Sequence, residues 1–360
     1  MDDPWKLARR CGYNASIMLE KLRCIGVAEA QEPLFVGIDL GGTNIKFGVV
    51  DDLGRPLSQL SIPTEAERGP EDTARRMAAA VHRVIGDAGL TPANIARVGL
   101  ASAGPMDIPA GMITTPINLK GWHDAPIRDL VARECGMPVT FENDANAAAY
   151  GEFWVGAGRD CPSLILLTLG TGVGCGIIFG NLVLRGEHSH GGESGHILLD
   201  FSPEARMCGC GRRGHLEAYA SATAVIKRAC QLLDAGRPST LSDRLAAGKR
   251  LTPKLIAVEA ETGDALSVEI VMETAHYIAL GAVSLMHMLQ PAGVFLGGAM
   301  TFGGHATALG RQFLGHVRDE VQRLALPHVA RATSIDIATL GGDAGFIGAA
   351  GVARLDWMQG

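Results

Sequence analysis

The sequence has no surplus of positive charge. Across 360 residues, 32 Lys and Arg stand against 38 Asp and Glu, a formal net charge of −6. Binding a phosphate backbone needs clustered Lys and Arg, and none is found; a nucleic-acid partner is not expected and a small one is. Long apolar runs are also lacking. The longest, "SLILLTLGTGVGCGIIFG", is interrupted by Thr and Gly short of the 18 consecutive apolar residues that read as a membrane span. The N-terminal "MDDPWKLARRCGYN" has neither the basic start nor the apolar core of a secretory signal. Without that signal, eight cysteines scattered along a chain of this length favour a reducing cytoplasm over a disulfide framework. The common nucleotide signatures are missing too: the glycines fit neither G-x-x-x-x-G-K-[ST] nor a G-x-G-x-x-G that opens a helix.

What is present is a long alternation of strand-like and helix-like segments. With 47% hydrophobic residues the chain can bury two cores. Residues 1–33 read as a polar, mildly helical lead, expected to be an appendage of unknown role. From "LFVGIDL" onward come "IKFGVVDD", the helical "PEDTARRMAAAVHRVIGDAG", "ARVGLASAG", and "PVTFENDAN" running into "ANAAAYGEFW". A second cycle opens at "SLILLTLGTG", continues through the helical "SATAVIKRACQLLDAG" and "LSVEIVMETAHYIALGAVSLMHMLQ", and returns to the strand "GVFLGG"; "GFIGAAGVARLDW" reads as a closing helix. Two halves that each open on strand, glycine turn and returning strand predict a duplicated α/β architecture.

Both glycine turns sit between strands, so Gly41-Gly42 and Thr171-Gly172 read as hairpins. Backbone without side chains can bring consecutive N–H groups to an anion, and the neighbouring Thr hydroxyls add donors. Each turn is therefore either a phosphate cradle or an ordinary hairpin. A third cluster, "MCGCGRRGHLEAYAS", places two cysteines one residue apart with a histidine five residues later. C-x-C is not the C-x-x-C redox spacing and is too tight for an easy disulfide, which leaves a metal site as the better reading.

Taken together, "DLGGTN", "LGTGVGCGII" and "FLGGAM" resemble the two phosphate motifs and the adenosine motif of sugar kinases in the actin and hexokinase superfamily. Within that group "ENDANAAAYGE", "GGESGH" and "CGCGRRGHLEAYAS" resemble the ROK family, over roughly residues 34–351. The resemblance implies a two-domain, duplicated α/β fold of the actin-like or ribonuclease-H-like ATPase type with an interdomain cleft. A small domain is expected over 34–122 plus 345–360 and a large one, with the sugar site and zinc loop, over 123–344. It further implies a cytoplasmic, homodimeric hexokinase, a glucokinase first, using ATP with Mg²⁺ and a structural Zn²⁺. Fructose, mannose or an N-acetylhexosamine remain alternative substrates. A sugar-responsive repressor is the alternative of another class, but the 33 leading residues are expected to be too few for its winged helix.

The same resemblance gives residues their roles. Asp144 is the general base, although Asn143 or Asp144 would equally well cap the helix that follows. Asn118, Asn143, Asp144, Glu193, His196 and Glu217 contact the sugar. Asp39, Gly41, Gly42, Thr43, Asn44, Lys46, Thr171, Gly172 and Gly298 serve the nucleotide and Mg²⁺, with Lys46 either on a phosphate or facing water. The family's zinc ligands are the His of "GH" and three cysteines; here they become His196, Cys208, Cys210 and, in place of the third cysteine, His215. Cys₂His₂ is an accepted tetrahedral zinc set.

Overall fold

The computed structural model describes residues 23–116, 119 and 121–360. Its first half contains β1 (Leu34–Leu40), β2 (Asn44–Val50), β3 (Pro56–Pro63), α1 (Pro70–Asp87), β4 (Ile95–Ser102), the short β5 (Met106–Asp107) and β6 (Met112–Ile113), α2 (Ile127–Cys135), β7 (Val139–Asn143) and α3 (Asp144–Trp154). The second comprises β8 (Ser163–Leu169), β9 (Val173–Phe179), β10 (Leu182–Val183), α4 (Glu217–Ala220), α5 (Ala222–Asp234), α6 (Thr240–Ala246), α7 (Pro253–Glu261), α8 (Ala265–Leu289), β11 (Gly293–Gly297), α9 (Ala308–Leu324), α10 (Pro327–Ala332), β12 (Ser334–Ile337) and α11 (Ala344–Gln359). The five-stranded sheets run β3-β2-β1-β4-β7 and β10-β9-β8-β11-β12. Position for position these orders correspond, so the duplication that the sequence predicts is present.

The chain forms two compact units. One includes Leu167–Cys175 and Glu193–Ile337; the other includes the described residues up to Leu166, Gly176–Gly192 and Ala338–Gly360. In the latter, β1 and β2 are antiparallel while β1, β4 and β7 run parallel. Alternation along β1 splits its side chains. Leu34, Val36, Ile38 and Leu40 face a core shared with Met77, Val81 and Val84 of α1 and Leu130 and Val131 of α2. Phe35 faces the other way, packing with Phe346, Ile347 and Ala350 of α11. Residues 25–31, in the stretch read as a lead, are tied to this unit: Ile25 N–H donates to the Pro56 carbonyl at 2.9 Å and Gln31 N–H to Asp51 at 3.1 Å.

Helix α11 meets the sheet backbone to backbone. Gly37 is the register partner of both Gly48 and Gly99, which makes a glycine stripe across three strands. A methyl group on Gly37 would lie 1.8 Å from the Phe346 carbonyl oxygen, and one on Gly99 1.9 Å from that of Ala349. Helix α3 closes on α11 in the same manner, a methyl on Gly348 falling 1.6 Å from the Ala147 carbonyl oxygen. No L side chain fits at these positions without moving the helix.

In the other unit, α8 carries the core and packs against α7, α9, α4 and α5. By length and composition it is the one described helix able to cross a membrane, and 56% of its most apolar window is buried within the fold.

The two kinds of glycine separate in a stability measurement. Gly99→Ala is expected to destabilise by about 1–3 kcal/mol or more in denaturant titration, because its methyl meets rigid backbone. Gly315→Ala, inside α9 with nothing within 4 Å, should stabilise by about 0.5–1 kcal/mol.

Candidate active site and metal centre

The parallel register brings two carboxylates to one level of the sheet, on the strands that flank β4. Asp39 in β1 is level with Ala101 of β4, and Ala101 with Glu142 of β7, one strand position before Asn143 and the start of α3. Asn143 is the cap of α3: its side-chain oxygen accepts from Ala145 N–H at 2.9 Å and Asn146 N–H at 3.2 Å. The capping alternative therefore resolves in favour of Asn143, and Asp144 becomes the first helical residue, its Oδ1 accepting from Ala145 N–H at 2.8 Å. A negative charge there is stabilised by the positive end of the helix dipole.

Behind them stands a residue the motif reading passed over. Glu142 is buried, yet its carboxylate accepts from the Asn143 amide at 2.9 Å, the Asn146 side chain at 3.0 Å and Arg185 Nε at 2.7 Å. It fixes the peptide that carries Asp144. A charged residue directly after the apolar Phe141 within a buried strand is the signal that "FENDAN" offered for it.

Asp39 lies on the α11 face of the sheet, where a methyl on Gly345 would fall 2.4 Å from its Oδ2. Burial, and then the charge of Asp144, push its carboxyl up to about 6, with Lys46 pulling the other way. Lys46 is the cross-strand partner of Asp39. Its ammonium donates to the Gly342 carbonyl ahead of α11, so in this structure it neither faces water alone nor stands unpartnered.

Both glycine turns are hairpins between adjacent strands. Among the described residues no hydrogen bond engages the amides of Gly42 and Thr43 in the first or of Thr171 and Gly172 in the second. Each turn thus presents consecutive donors with no partner, which is the backbone arrangement that binds anions. Gly41 is held by Asn44, whose carbonyl accepts its N–H at 3.2 Å. Gly298, just after β11, has φ +89° and leaves no room for a side chain, since a methyl there would lie 2.4 Å from the Leu169 carbonyl oxygen.

Four further predicted residues gather in the other unit. His196 and His215 approach through Nδ1 at 3.2 Å, Cys208 Sγ lies 3.8 Å from His196 Nδ1, and Cys210 Sγ lies 3.3 Å from His215 Nδ1. All four ligand atoms fall within 4.8 Å of one another. A tetrahedron with metal–nitrogen bonds of about 2.0 Å and metal–sulfur bonds of about 2.3 Å has N–N edges of ~3.3 Å and S–N edges of ~3.5 Å. The donor set and its spacing fit such an ion. Burial, then His196, hold His215 below its ordinary value, which favours the neutral imidazole that binds a metal. Cys208 and Cys210 are free thiols.

With Nδ1 turned into the cluster, His196 Nε2 points elsewhere and lies 4.0 Å from Glu193, which is exposed. Glu217 spans two features: Oε2 accepts from Val173 N–H beside the second glycine turn at 3.1 Å, and Oε1 from the Cys208 thiol at 3.6 Å. Asn118 lies outside the described residues.

The raised Asp39 carboxyl makes stability depend on pH. The folded state holds a proton that the unfolded chain has released above about pH 4, so stability falls between about pH 4 and 6 and levels above. Asp39→Asn removes that cost. Denaturant titrations should show the variant matching the native chain near pH 4 and exceeding it by about 2–3 kcal/mol at pH 8.

Comparison with known proteins identifies the family. The ROK family model matches residues 35–355. A glucokinase of Halalkalibacterium halodurans is 33% identical over 87% of this chain and 93% of its own. The crystal structure of a ROK hexokinase from Thermus thermophilus is 34% identical, with a TM-score of 0.75 over 91% of this chain and all of that one. A ROK family glucokinase from Streptomyces griseus, crystallised with glucose and AMPPNP, is 33% identical, with a TM-score of 0.72 over 91% and 100% of the two chains. The duplicated α/β architecture is that of the actin-like ATPases, and the chain belongs to the ROK family.

Proposed function

We propose that this protein phosphorylates a hexose with ATP, and glucose before other hexoses or N-acetylhexosamines. The observation that carries this reading is Asp144, placed at a helix start whose capping is done by Asn143 and braced by the buried Glu142. Glucokinase relatives at about one-third identity support the sugar and the nucleotide. The same reading carries a cytoplasmic homodimer.

In this reaction Asp144 accepts the proton of the attacking sugar hydroxyl, and the remaining work is positioning and charge neutralisation. Asp39 would help to hold Mg²⁺, which would neutralise phosphate charge when bound. The unpaired amides of Gly42, Thr43, Thr171 and Gly172 supply donors to phosphate oxygens, and Gly298 keeps the adenosine turn close to β8. Glu193, His196 and Glu217, with Asn118 and Asn143, hold sugar hydroxyls. Zn²⁺ would be structural, held by His196, Cys208, Cys210 and His215, and would orient His196 so that Nε2–H donates to the sugar.

Asp144→Asn keeps shape and hydrogen bonding but cannot take the proton. Its kcat should fall about 10²–10⁴-fold in a coupled assay with ATP over a panel of sugars, while glucose still binds by calorimetry. Turnover near that of the native chain would remove Asp144 as base.

Metal analysis of freshly purified protein should give about one zinc per chain. Cys208→Ser should lose it and His215→Cys retain it. Removal by a strong chelator is expected to lower Tm and weaken glucose binding together. Zinc-free active enzyme, or chelation that leaves glucose affinity unchanged, would overturn this assignment.

A further inference from the structure

The two glycine turns share a device that no motif names. Thr64, just past β3, is fully buried and gives both of its donors to the first turn. Its N–H reaches the Thr43 carbonyl at 2.9 Å and its hydroxyl the Gly41 carbonyl at 2.6 Å. Thr64 is braced in turn. Arg76 donates to the carbonyls of Thr64, at 2.8 Å, and of Pro63, and the indole of buried Trp122 donates to Ala66 at 2.9 Å.

The second half repeats the arrangement with different residues. Ala222 N–H donates to the Gly170 carbonyl at 2.9 Å, and the Thr223 hydroxyl to the Thr171 carbonyl at 3.2 Å. In a trans peptide the C=O and the following N–H point in opposite directions. A donor that holds the Gly41 carbonyl from behind therefore turns the Gly42 amide outward. By the same rule, donors on Gly170 and Thr171 turn the amides of Thr171 and Gly172 outward. Those are amides left without partners among the described residues.

We propose that Thr64 is a positioning residue for nucleotide phosphate: by capturing the Gly41 carbonyl, it holds the Gly42 amide in the orientation that phosphate binding needs. Thr223, with the Ala222 amide, does the same for the second turn. This inference rests on the sugar-kinase reading and adds to it how the amides are aimed.

The test compares the full-length native chain with Thr64→Val, which keeps the shape but loses the hydroxyl, and Thr64→Ser, which keeps it. Calorimetry with AMPPNP and Mg²⁺, and separately with glucose, reads both sites. Thr64→Val should weaken AMPPNP by about tenfold, the cost of one misdirected bond to an anion, and leave glucose affinity within about twofold; Thr64→Ser should restore AMPPNP binding. Unchanged AMPPNP affinity in Thr64→Val, or an equal loss for glucose, overturns the proposal. A native chain that binds no AMPPNP overturns the kinase reading instead. Should Thr64→Val not fold, amide NMR of the native chain decides: the Gly42 and Thr171 N–H resonances move on adding AMPPNP, and resonances that stay in place sink the idea.

Discussion

Direct contact between the backbone of α11 and the backbone of the first sheet sets the geometry of one half of the site. Gly37, Gly48 and Gly99 form a side-chain-free strip, and the carbonyls of Phe346 and Ala349 lie where methyl groups would otherwise be. An interface this close is intolerant of added volume, because at Gly37 and Gly99 both sides are peptide and neither can change rotamer, while Gly48 faces the ring of Phe346. Its consequences reach the chemistry. Asp39 projects from the same face of β1 two residues beyond Gly37, and Gly345 leaves room for its carboxylate. The Gly342 carbonyl, just ahead of α11, holds the Lys46 ammonium. Helix α3, which begins with Asp144, is drawn against α11 through Gly348. Moving α11 outward by a methyl would loosen Asp39, Lys46 and Asp144 together.

That compactness has an electrostatic cost. Two half-buried carboxylates are held near each other, and the Asp39 carboxyl is pushed up to about 6 as a result. A stability optimum would not choose this arrangement, and a raised carboxyl pKa of this kind is characteristic of functional sites. The local charges are balanced in unequal ways. Glu142, more deeply buried, has Arg185 and two hydrogen-bond donors, while Asp39 has Lys46, whose ammonium is also engaged by Gly342.

How much of this could be read from the residues follows from how local each feature is. The hairpins at Gly41-Gly42 and Thr171-Gly172, the helix from Asp144 and the closing helix from Ala344 depend on neighbours in sequence, and strand and turn chemistry made them legible. Cys208, Cys210 and His215 suggested a metal site by themselves, but His196 joined them only through likeness to a known pattern, since eleven residues separate it from Cys208. Glu142 and Thr64 were not singled out. Their roles depend on Arg185 and on Gly41, 43 and 23 residues away, and an acidic residue or a threonine gives no periodic signal. The choice between Asn143 and Asp144 as cap was equally closed to the sequence, because both are good caps and only the backbone decides which side chain turns back.

The departure at His215 can be judged by bond counting. A cysteine Sγ is one bond from Cβ, a histidine Nδ1 two, and a histidine Nε2 three. A histidine that replaces a cysteine therefore disturbs a metal shell least when it turns Nδ1 inward, and the added reach must be absorbed by a shift of the loop or the ring. In this structure His215 presents Nδ1 to both His196 and Cys210, and Gly214 immediately before it, at φ +80°, packs against the Asp200 carbonyl where a side chain would not fit. The loop thus takes a path that only glycine follows easily, directly ahead of the substituted ligand. The exchange of thiolate for neutral imidazole also removes one negative charge from a shell that lies beside Glu217. A bound dication with two thiolates is neutral and one with three carries a negative charge. With a dication bound, the carboxylate of Glu217 would therefore face less repulsion than a three-cysteine shell would give it.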